Sequence, residues 1–434
     1  MQAVIMAGGK GTRLSSITKD TIPKPMVDVL GKPLLEWQID VLKRYGIKDI
    51  CFIVGHLGEK IKDYFQNGET FGIHASYFEE KEPLGTAGSF YYLKKWLKEE
   101  SFLLIFGDVF FDINLARMIE AHTTRGAEAT LFVHPNSHPF DSDLVVLDSN
   151  SKVICFDSKH NIRNYWYDNC VNAGLYILNS SICDKVPNPE KKDLESEILA
   201  EMVEDGRGIY GYRSPEYIRD IGTVERIESV KRDITSGFIA RRSLSNKQKC
   251  IFLDRDGTVN KLKGLLYDID ELELEDMVVE AIRRINHSEW LCIVITNQPV
   301  VARGLCLIED VENIHKKLVT LLGNQGVYLD DILFCPHHPD KGYQGENLTY
   351  KIPCHCRKPD IGMLEQCAER YNIDLNKSWF VGDTTVDIQT GLNADMHTAL
   401  VETGEAGKDG KYQVNPEITG KNLKDIVEQI WSLS

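Results

Sequence analysis

The sequence predicts an α/β protein made of two doubly wound parallel-sheet domains. Short apolar strands alternate with helical stretches through both halves of the chain, a pattern typical of parallel sheets with helices on both faces. With 434 residues, the chain is also about three times as long as a common single domain. Two domains are therefore the expected organisation.

Each predicted element rests on the period of its apolar residues. In the first half this period predicts strands at 2–6, 50–54, 74–78, 102–106, 129–133 and 174–178, and helices near 33–45, 57–65, 86–98 and 115–122. In the second half it predicts strands at 250–253, 291–295, 332–334, 379–381 and 397–401, and helices near 277–287, 309–323, 361–371, 386–392 and 422–432. Ligands bind beyond the carboxyl ends of strands in such sheets, so the residues that follow each strand are the first site candidates.

A polar joint marks the expected domain boundary. A helix-like stretch at 224–234 ends before the polar residues 241–248, and a new apolar strand follows at 250–253. Short polar joints of this kind are where domains meet. We therefore expect a first domain at 1–240, a linker at 241–248 and a second domain at 249–434.

The composition excludes several protein classes. With 42% hydrophobic and 26% charged residues, the chain is neither disordered nor of low complexity. No apolar run approaches the roughly 18 to 20 residues that a membrane helix needs, and the amino end lacks the pattern of a signal peptide. The net charge of -15 disfavours a nucleic-acid-binding surface. We expect a cytoplasmic enzyme whose partners are small molecules rather than nucleic acid or membrane, and the sequence leaves the oligomeric state open.

A glycine-rich segment follows the first strand. Gly8, Gly9 and Gly11 let the backbone approach a phosphate chain and turn its N–H groups towards it. Arg13 and Lys24 add positive charge, which fits a triphosphate better than a structural turn. The spacing is that of neither the P-loop nor the dinucleotide-binding fingerprint.

Two aspartates in the first half are candidate magnesium ligands. Asp108 ends an apolar strand, and Asp220 lies much further along the chain. Alone, either residue is typical of a turn or a helix cap. As a pair they could hold Mg²⁺ by carboxylates together with substrate phosphates, which is how that ion is usually bound.

Together with the segments 82–88, 172–174 and 220–223, these motifs follow the order of the sugar-1-phosphate nucleotidyltransferases, which residues 1–235 resemble. Within that family the chain is most similar to guanylyltransferases that act on heptose or mannose 1-phosphates. The resemblance implies a Rossmann-like domain whose nucleotide phosphates are held by Gly8, Gly9, Gly11, Thr12 and Arg13. It further implies Lys24 at the reacting phosphate, Gly85 and Thr86 near the base, Asn172 and Gly174 near the sugar, and Asp108 with Asp220 on Mg²⁺.

Two departures from that family concern the sugar site. The stretch Phe156-Asp157-Ser158-Lys159 stands where the family often has Phe-x-Glu-Lys, which makes Lys159 the candidate for the sugar phosphate. Residues 141–144 replace a common Tyr-Gly pair. The identity of the sugar therefore stays open on the first half alone.

An acidic motif follows the first strand of the second half. Asp254 and Asp256 precede Gly257 with one residue between them, so both carboxylates can face one site. One can attack a phosphorus atom while the other handles the proton of the leaving group. Thr296 and Asp383 follow two later strands.

A cysteine cluster predicts a zinc loop at 335–356. Four candidate ligands form two close pairs separated by a polar stretch: Cys335 with His337, and Cys354 with Cys356. Three thiolates and one imidazole are a usual structural zinc set, with His338 and His355 as alternative ligands. The ion would hold the adjacent Arg357 and Lys358 against the substrate.

This order of motifs resembles the haloacid-dehalogenase-type (HAD) phosphatases over about residues 249–405, and the zinc loop is similar to that of heptose 1,7-bisphosphate phosphatases and histidinol-phosphate phosphatases. The resemblance implies Asp254 as nucleophile and Asp256 as general acid and base. It implies that the phosphoryl group and the rest of the substrate contact Thr296, Asn297, Arg357 and Lys358. Mg²⁺ would be held by Asp254, Asp256 and Asp383, with Asp387 in a supporting position.

The two resemblances together imply a bifunctional enzyme. One half would remove the 7-phosphate of D-glycero-D-manno-heptose 1,7-bisphosphate, and the other would transfer a nucleotidyl group, with GTP the favoured donor, to the remaining 1-phosphate and release pyrophosphate. Mg²⁺ and a structural Zn²⁺ are the expected cofactors. Three alternatives stay open: a histidinol-phosphate phosphatase joined to an unrelated sugar nucleotidyltransferase, the same chemistry on another sugar phosphate, or one domain reduced to a regulatory binding module.

Overall fold

The computed structural model describes residues 1–9, 18, 21–342 and 344–433. The chain forms two compact units. The first comprises Met1–His134, Asp143–Ser158 and Cys170–Ser243, and the second comprises Pro135–Ser142, Lys159–Asn169 and Leu244–Ser434. Two short segments of the first half of the sequence, 135–142 and 159–169, thus belong by their contacts to the second unit. Each unit is described by itself.

The first unit contains short strands, helices and connecting turns. Its strands are Gln2–Ala7 (β1), Asp28–Val29 (β2), Lys32–Pro33 (β3), Asp49–Val54 (β4), His74–Glu79 (β5), Ser101–Phe106 (β6), Val109–Asp112 (β7), Ala129–His134 (β8), Leu144–Leu147 (β9), Val153–Asp157 (β10), Val171–Asn179 (β11), Ile209–Arg213 (β12) and Tyr217–Asp220 (β13). Its α-helices are Leu34–Arg44 (α1), Gly58–Phe65 (α2), Phe90–Leu93 (α3), Leu115–Arg125 (α4), Ala200–Glu204 (α5), Val224–Thr235 (α6) and Phe238–Arg242 (α7), and a π-helix covers Leu194–Leu199.

The sheet of the first unit is mixed. Strands β5, β4, β1 and β6 lie side by side and parallel. Strand β11 then pairs antiparallel with both β6 and β8. Strands β6 and β8 therefore run in the same direction, with β11 between them in the sheet. Helix α4 lies in the connection from β6 to β8. The strand predicted at 174–178 is present, but the alternation of strands and helices carried no information on its direction.

Apolar side chains alternate between the two faces of this sheet, as strand geometry requires. Ile5, Phe52 and Ile105 are buried on one face with Ile39 of α1, and the residue before Ile105 in β6, Leu104, is buried in the cluster on the other face. Both faces are thus covered. Glu80 and Asp108 follow the carboxyl ends of β5 and β6.

The second unit is built on one parallel sheet. Its strands are Lys249–Leu253 (β14), Trp290–Asn297 (β15), Asp331–Cys335 (β16), Trp379–Gly382 (β17), His397–Val401 (β18) and Ile418–Gly420 (β19). Its α-helices are Val278–Asn286 (α8), Ile308–Asn324 (α9), Gly362–Tyr371 (α10), Thr385–Asn393 (α11) and Leu423–Leu433 (α12).

The strand order is β16-β15-β14-β17-β18-β19, and every pair is parallel. Apolar clusters cover both faces: Ile251 and Leu253 pack with Ile282 of α8, while Cys250 and Phe252 pack with Leu364 of α10. The predicted α/β fold is confirmed. Strand β14 is central, so the segment that follows it lies between those that follow β15 and β17.

None of the helices in the described ranges combines the length and the apolar character needed to cross a lipid bilayer.

Candidate active sites

A lysine and two aspartates meet at the carboxyl edge of the first sheet. Lys24 is buried, and its Nζ lies 2.5 Å from Oδ2 of Asp108, which follows β6. The antiparallel pairing of β7 with β13 sets Asp220 beside it, because the Ile221 N–H donates to the Asp108 carbonyl at 2.9 Å. Three residues predicted for one phosphate site are therefore adjacent in the fold.

Asp220 is held as a carboxylate by its surroundings. Arg226 forms an ion pair with Oδ2, and the Gly222 N–H donates to Oδ1 at 2.9 Å. Burial raises the pKa of Asp220, but Arg226, this N–H group and Lys24 outweigh burial and hold the pKa below its usual range. Asp220 is therefore in the form that a cation can bind.

A carboxylate with one unpartnered oxygen lies beside the glycine-rich loop. Glu80 follows β5, and its Oε2 is 3.0 Å from the point that a Cβ on Gly8 would occupy. Among the described residues, its Oε1 is buried and has no hydrogen-bond partner. Burial raises the pKa of Glu80 to about 7, although the Leu84 N–H opposes the shift. Gly8 and Gly9 are described, whereas the predicted phosphate residues Gly11, Thr12 and Arg13 lie outside the described residues.

The loop 84–88 is fastened to the segment 192–194. The Thr86 hydroxyl donates to Asp193 Oδ2 at 3.0 Å and accepts the Leu194 N–H at 2.7 Å. Gly85 has φ +77°, and a Cβ there would lie 2.3 Å from the Lys192 carbonyl oxygen. Only glycine fits this approach, so Gly85 and Thr86, both predicted near the base, also hold the loop in place.

Asn172 lies in a buried chain of hydrogen bonds. Its Nδ2 donates to the Tyr176 hydroxyl at 2.9 Å, and that hydroxyl donates to Oε1 of Glu195 in the π-helix. Burial raises the pKa of Glu195 and outweighs the opposing Tyr176 hydrogen bond. The Gly174 N–H meets Oδ1 of Asn172 at 3.5 Å. This chain fixes which way the Asn172 amide points.

Lys159 is the other residue predicted for the sugar site. It is exposed and belongs to the second unit, whereas Asn172 and Gly174 belong to the first. Its predicted contact with the sugar phosphate stays a prediction.

In the second unit, Lys358 bridges two aspartates at the carboxyl end of the sheet. Its Nζ lies 2.6 Å from Oδ1 of Asp254 and 2.6 Å from Oδ1 of Asp387. Burial lowers the pKa of Lys358, but the two carboxylates outweigh it and the net pKa is raised. Asn297 holds the lysine from behind: its Nδ2 donates to the Lys358 carbonyl and its Oδ1 accepts the Lys358 N–H, both at 3.0 Å. Asn297, predicted on the substrate, thus also positions Lys358.

A third carboxylate completes this cluster. One ligand oxygen from each of Asp254, Asp383 and Asp387 lies within 4.8 Å of the others. Burial, reinforced by the charge of Asp254, raises the pKa of Asp383 to about 8, and burial raises that of Asp254 to about 7. Among the described residues, Asp383 Oδ1 is buried without a hydrogen-bond partner. Three carboxylates beside a single lysine, one with an open oxygen, fit a hard cation bound by oxygen.

Asp256 lies outside that cluster and is surrounded by donors. Arg255 donates to both of its oxygens, Gln298 Nε2 donates to Oδ2 at 2.8 Å, and Asn260 Nδ2 donates to Oδ1 at 3.0 Å. Burial raises the pKa of Asp256, but Arg255 and the two amides outweigh it and lower the pKa. The carboxylate of Asp256, predicted as a magnesium ligand, is thus engaged with these donors and not with the other aspartates.

The remaining predicted phosphatase residues line the same cavity of about 950 Å³ as Asp254: Thr296, Asn297, Arg357 and Lys358. The Thr296 hydroxyl accepts from Gln298 Nε2 at 2.9 Å, which ties it to the neighbour of Asp256. Arg357 donates from Nη1 to the His337 carbonyl at 3.1 Å. The cysteine loop is therefore connected directly to a cation of the site.

The four predicted zinc ligands form one tight group. The ligand atoms of Cys335, His337, Cys354 and Cys356 all lie within 4.8 Å of one another. Neighbouring atoms are 3.2 to 3.6 Å apart, a spacing that leaves room for one ion between them. The alternative ligands point elsewhere, since His338 Nδ1 accepts the Asp340 N–H and His355 pairs with Glu365.

Comparison with known proteins assigns both halves. The family described as nucleotidyl transferase matches residues 2–237, and the family described as HAD-hydrolase-like matches residues 355–426. A D-glycero-β-D-manno-heptose-1,7-bisphosphate 7-phosphatase of Yersinia pestis is 40% identical over 156 residues, which are 36% of this chain and 81% of that protein.

The chain belongs to the nucleotidyl transferase family and to the HAD-like phosphatases.

Two further relatives match the nucleotidyl transferase half. A D-glycero-α-D-manno-heptose 1-phosphate guanylyltransferase of Aneurinibacillus thermoaerophilus is 32% identical over 234 residues, which are 54% of this chain and 98% of that protein. A UTP–glucose-1-phosphate uridylyltransferase of Synechocystis is 31% identical over 237 residues, which are 52% of this chain and 61% of that protein. This chain thus matches less than two thirds of the uridylyltransferase. The two family resemblances predicted from the motifs are confirmed.

Sequence reasoning missed several polar residues of both sites. Glu80 follows a predicted strand, so the rule that found Asp108 could have found it too. Tyr176 and Glu195 gave no signal, because a strand and a π-helix meet there only in the folded nucleotidyl transferase unit. In the HAD-like unit, Arg255 is the middle residue of the acidic motif. Its burial depends on tertiary contacts, so the sequence offered no reason to select it.

Replacement of Cys354 by serine should remove a zinc ion from the HAD-like unit. We expect about one zinc per chain in the unsubstituted protein and loss of that zinc in the variant. Because structural zinc contributes to folding free energy, the unfolding temperature of this unit should fall by more than about 5 °C. Elemental analysis and calorimetry measure both quantities.

Cys367→Ser is the matched control, since Cys367 is buried in the same unit outside the group of four. It should keep its zinc. A zinc-free unsubstituted protein, or equal zinc in both variants, would contradict the assignment.

Proposed function

We propose that the chain catalyses two successive steps of heptose activation. The HAD-like half removes the 7-phosphate of D-glycero-D-manno-heptose 1,7-bisphosphate, and the nucleotidyl transferase half converts the resulting heptose 1-phosphate and GTP into GDP-heptose and pyrophosphate. The observation that carries the proposal is the pairing of the two relatives, because both act on phosphates of D-glycero-D-manno-heptose and removal of the 7-phosphate leaves the 1-phosphate that a guanylyltransferase needs. A histidinol phosphatase would leave the other half without a related substrate.

The phosphatase step follows from the residues around Asp254. Its carboxylate attacks the phosphorus of the 7-phosphate, and Lys358, at 2.6 Å from Asp254, neutralises phosphate charge as the group moves. Asp256 exchanges protons with the leaving oxygen and then with water. Asp254 and Asp383 would hold Mg²⁺, which supplies charge neutralisation for the phosphate when bound.

In the transferase step two anions must come together, the sugar 1-phosphate and the nucleoside triphosphate. An oxygen of the sugar 1-phosphate attacks the α-phosphorus of the nucleotide, and pyrophosphate leaves on the opposite side. Lys24, buried against Asp108, offers an ammonium where these charges meet. Asp108 and Asp220 would hold Mg²⁺ by carboxylates together with the substrate phosphates.

We propose the α-anomer as the sugar. The names of the two relatives differ here, since the phosphatase is described for the β-bisphosphate and the guanylyltransferase for the α-phosphate. The transferase acts at the anomeric phosphate itself, whereas the phosphatase acts at the far end of the sugar. The transferase half therefore decides which anomer can pass through both steps, and its relative is named for the α-phosphate.

Glu80 supports guanine as the base. Its buried Oε1 lacks a hydrogen-bond partner in the described part of the chain and stands beside Gly8. The Watson–Crick edge of guanine presents two adjacent donors, N1–H and the 2-amino group, which one carboxylate can accept as a charge-assisted pair. Adenine and uracil present a single donor next to acceptors. A site built to accept two donors rejects bases that lack them.

An assay with both anomers of heptose 1,7-bisphosphate and GTP, ATP, UTP and CTP tests the whole proposal. Release of phosphate, followed by pyrophosphate only with GTP and the α-anomer, is the expected result. Nucleotide transfer to glucose 1-phosphate from UTP alone would instead favour the activity of the uridylyltransferase relative. Failure with every nucleotide would overturn the sequence of steps.

Replacing the nucleophile should separate the two activities. Asp254→Asn removes the attacking carboxylate, so phosphate release should fall by at least about 10³-fold while transfer to heptose 1-phosphate continues. Asp108→Ala should have the opposite effect. The activity that each variant keeps shows that the variant is folded. Loss of both activities in either variant would contradict independent sites.

Glu80→Gln should weaken GTP selection. We expect the KM for GTP to rise about tenfold or more, with a smaller rise for inosine triphosphate, which lacks the 2-amino group. In the unsubstituted protein the KM for GTP should also increase as the pH falls below about 7, because protonation removes the acceptor. In Glu80→Gln this dependence should be lost.

Glu79→Gln is the matched control for Glu80. Glu79 is the preceding residue, is exposed and pairs with Lys62, so its loss should leave both the KM for GTP and the pH profile unchanged. A pH profile that persists in Glu80→Gln would show that another group titrates.

Tyr176→Phe should affect the sugar and not the nucleotide. The change removes the hydroxyl between Asn172 and Glu195, so the KM for heptose 1-phosphate should rise by about three- to tenfold with the KM for GTP unchanged. Tyr77→Phe, which removes a hydroxyl bound to the Gln66 carbonyl in the same unit, is the control. Equal changes for both substrates would indicate a general loss of structure.

A further inference from the structure

Arg255 is the largest fully buried side chain in the described part of the chain, and it lies between two other polar residues. Its Nη2 donates to both oxygens of Asp256 at 2.9 Å, and its Nε donates to Oδ1 at 3.2 Å. On the opposite side its Nη1 lies 3.2 Å from Nε2 of His315. A guanidinium only donates, so Nε2 of His315 accepts.

His315 is itself enclosed. It lies on α9, is 7% exposed and packs edge-on against the ring of Phe334, with centroids 5.3 Å apart. Burial, together with the charge of Arg255, lowers its pKa to about 3. The ring is therefore neutral under working conditions and serves as a steady acceptor for Arg255.

A buried ion pair of this kind is weak evidence for a role in stability. Removing a guanidinium from water is costly, and apolar residues of similar volume often replace a buried ion pair without loss of stability. What the arrangement provides is orientation. The planar fork of Arg255 fixes the plane of the Asp256 carboxylate, while Gln298 and Asn260 bind the same oxygens.

We propose that Arg255 and His315 are positioning residues that direct the Asp256 carboxylate towards the leaving oxygen and the attacking water. The proposal rests on the phosphatase function proposed above and adds the groups that hold its acid and base in place. Neither residue needs to touch the substrate.

Two proton transfers depend on this orientation. In the first step Asp256 acts in its protonated form: the bond from phosphorus to the leaving oxygen breaks as the bond to Asp254 forms, and the leaving oxygen takes the proton from Asp256. In the second step Asp256 takes a proton from water, the water oxygen bonds to phosphorus, and the bond from Asp254 to phosphorus breaks. Inorganic phosphate leaves and both aspartates return to their starting states.

The test compares two esters by kcat/KM, which reports the first step. An alkyl ester such as glycerol phosphate needs the proton, whereas p-nitrophenyl phosphate releases an anion that is stable without one. In Arg255→Met and His315→Leu we expect kcat/KM for the alkyl ester to fall by about 10²-fold or more, and kcat/KM for p-nitrophenyl phosphate to change by less than about fivefold. With p-nitrophenyl phosphate a burst of nitrophenol should also appear, because the second step still needs Asp256.

Conservative and control variants separate positioning from folding. His315→Gln keeps an acceptor for Arg255 and should recover most of the activity on the alkyl ester. Tyr371→Phe removes a buried hydrogen bond to Asp331 in the same unit, 2.6 Å long and at the opposite end of the sheet, and should leave the ratio of the two esters unchanged. Retained zinc and circular dichroism check that each variant is folded.

Equal losses on the two esters in a folded Arg255→Met or His315→Leu variant would overturn the positioning role and leave the phosphatase function standing. Inactivity of the unsubstituted protein on both esters would overturn the phosphatase function and this proposal with it.

Discussion

In each unit a buried ammonium group lies against an aspartate at the carboxyl end of a strand inside the parallel part of the sheet. Lys24 is 2.5 Å from Asp108 in the nucleotidyl transferase unit, and Lys358 is 2.6 Å from Asp254 in the HAD-like unit. Both activities require phosphate oxygens and carboxylates to approach one another, which Coulomb repulsion opposes most strongly where water is excluded. Breaking a buried pair typically costs about 3 to 5 kcal/mol. We therefore expect the segments that contact Lys24 and Lys358 to hold these two lysines in position.

In the HAD-like unit, several hydrogen bonds hold Lys358 and its neighbour Arg357 in place. Asn297 brackets the Lys358 peptide with two hydrogen bonds of 3.0 Å, and Arg357 next to it is tied to the cysteine loop through His337. Even so, one lysine faces three carboxylates, and the pKa of Asp383 rises to about 8. The charge of Lys358 does not neutralise the three carboxylates of Asp254, Asp383 and Asp387. A bound cation would relieve that excess charge and favour the ionised nucleophile, so metal binding and activation of Asp254 are linked by the same electrostatics.

The sequence predicted most of this because strand-end chemistry is local. Asp108 in the first unit, and Asp254, Thr296 and Asp383 in the second, each come at the end of an apolar run. That position alone sends each residue to the carboxyl edge of the parallel strands in its own sheet. What escaped prediction depends on contacts between distant segments. Strand β11 enters the first sheet antiparallel between β6 and β8, and the alternation of elements carries no strand order. Helix 86–98 was predicted from its apolar period, but only Phe90–Leu93 is α-helical. Its predicted first residues lie instead in loop 84–88, which is bound to segment 192–194.

The net charge of -15 disfavours the approach of phosphate-bearing molecules, whereas buried cations lie in both candidate sites. The field of an acidic surface is screened over about 10 Å at ordinary ionic strength, so it has little effect on a phosphate that lies inside a site. A buried ammonium or guanidinium is screened far less, and it acts only on the group beside it. Lys24 and Lys358 therefore act on the carboxylates beside them, and Arg255 acts on the two oxygens of Asp256.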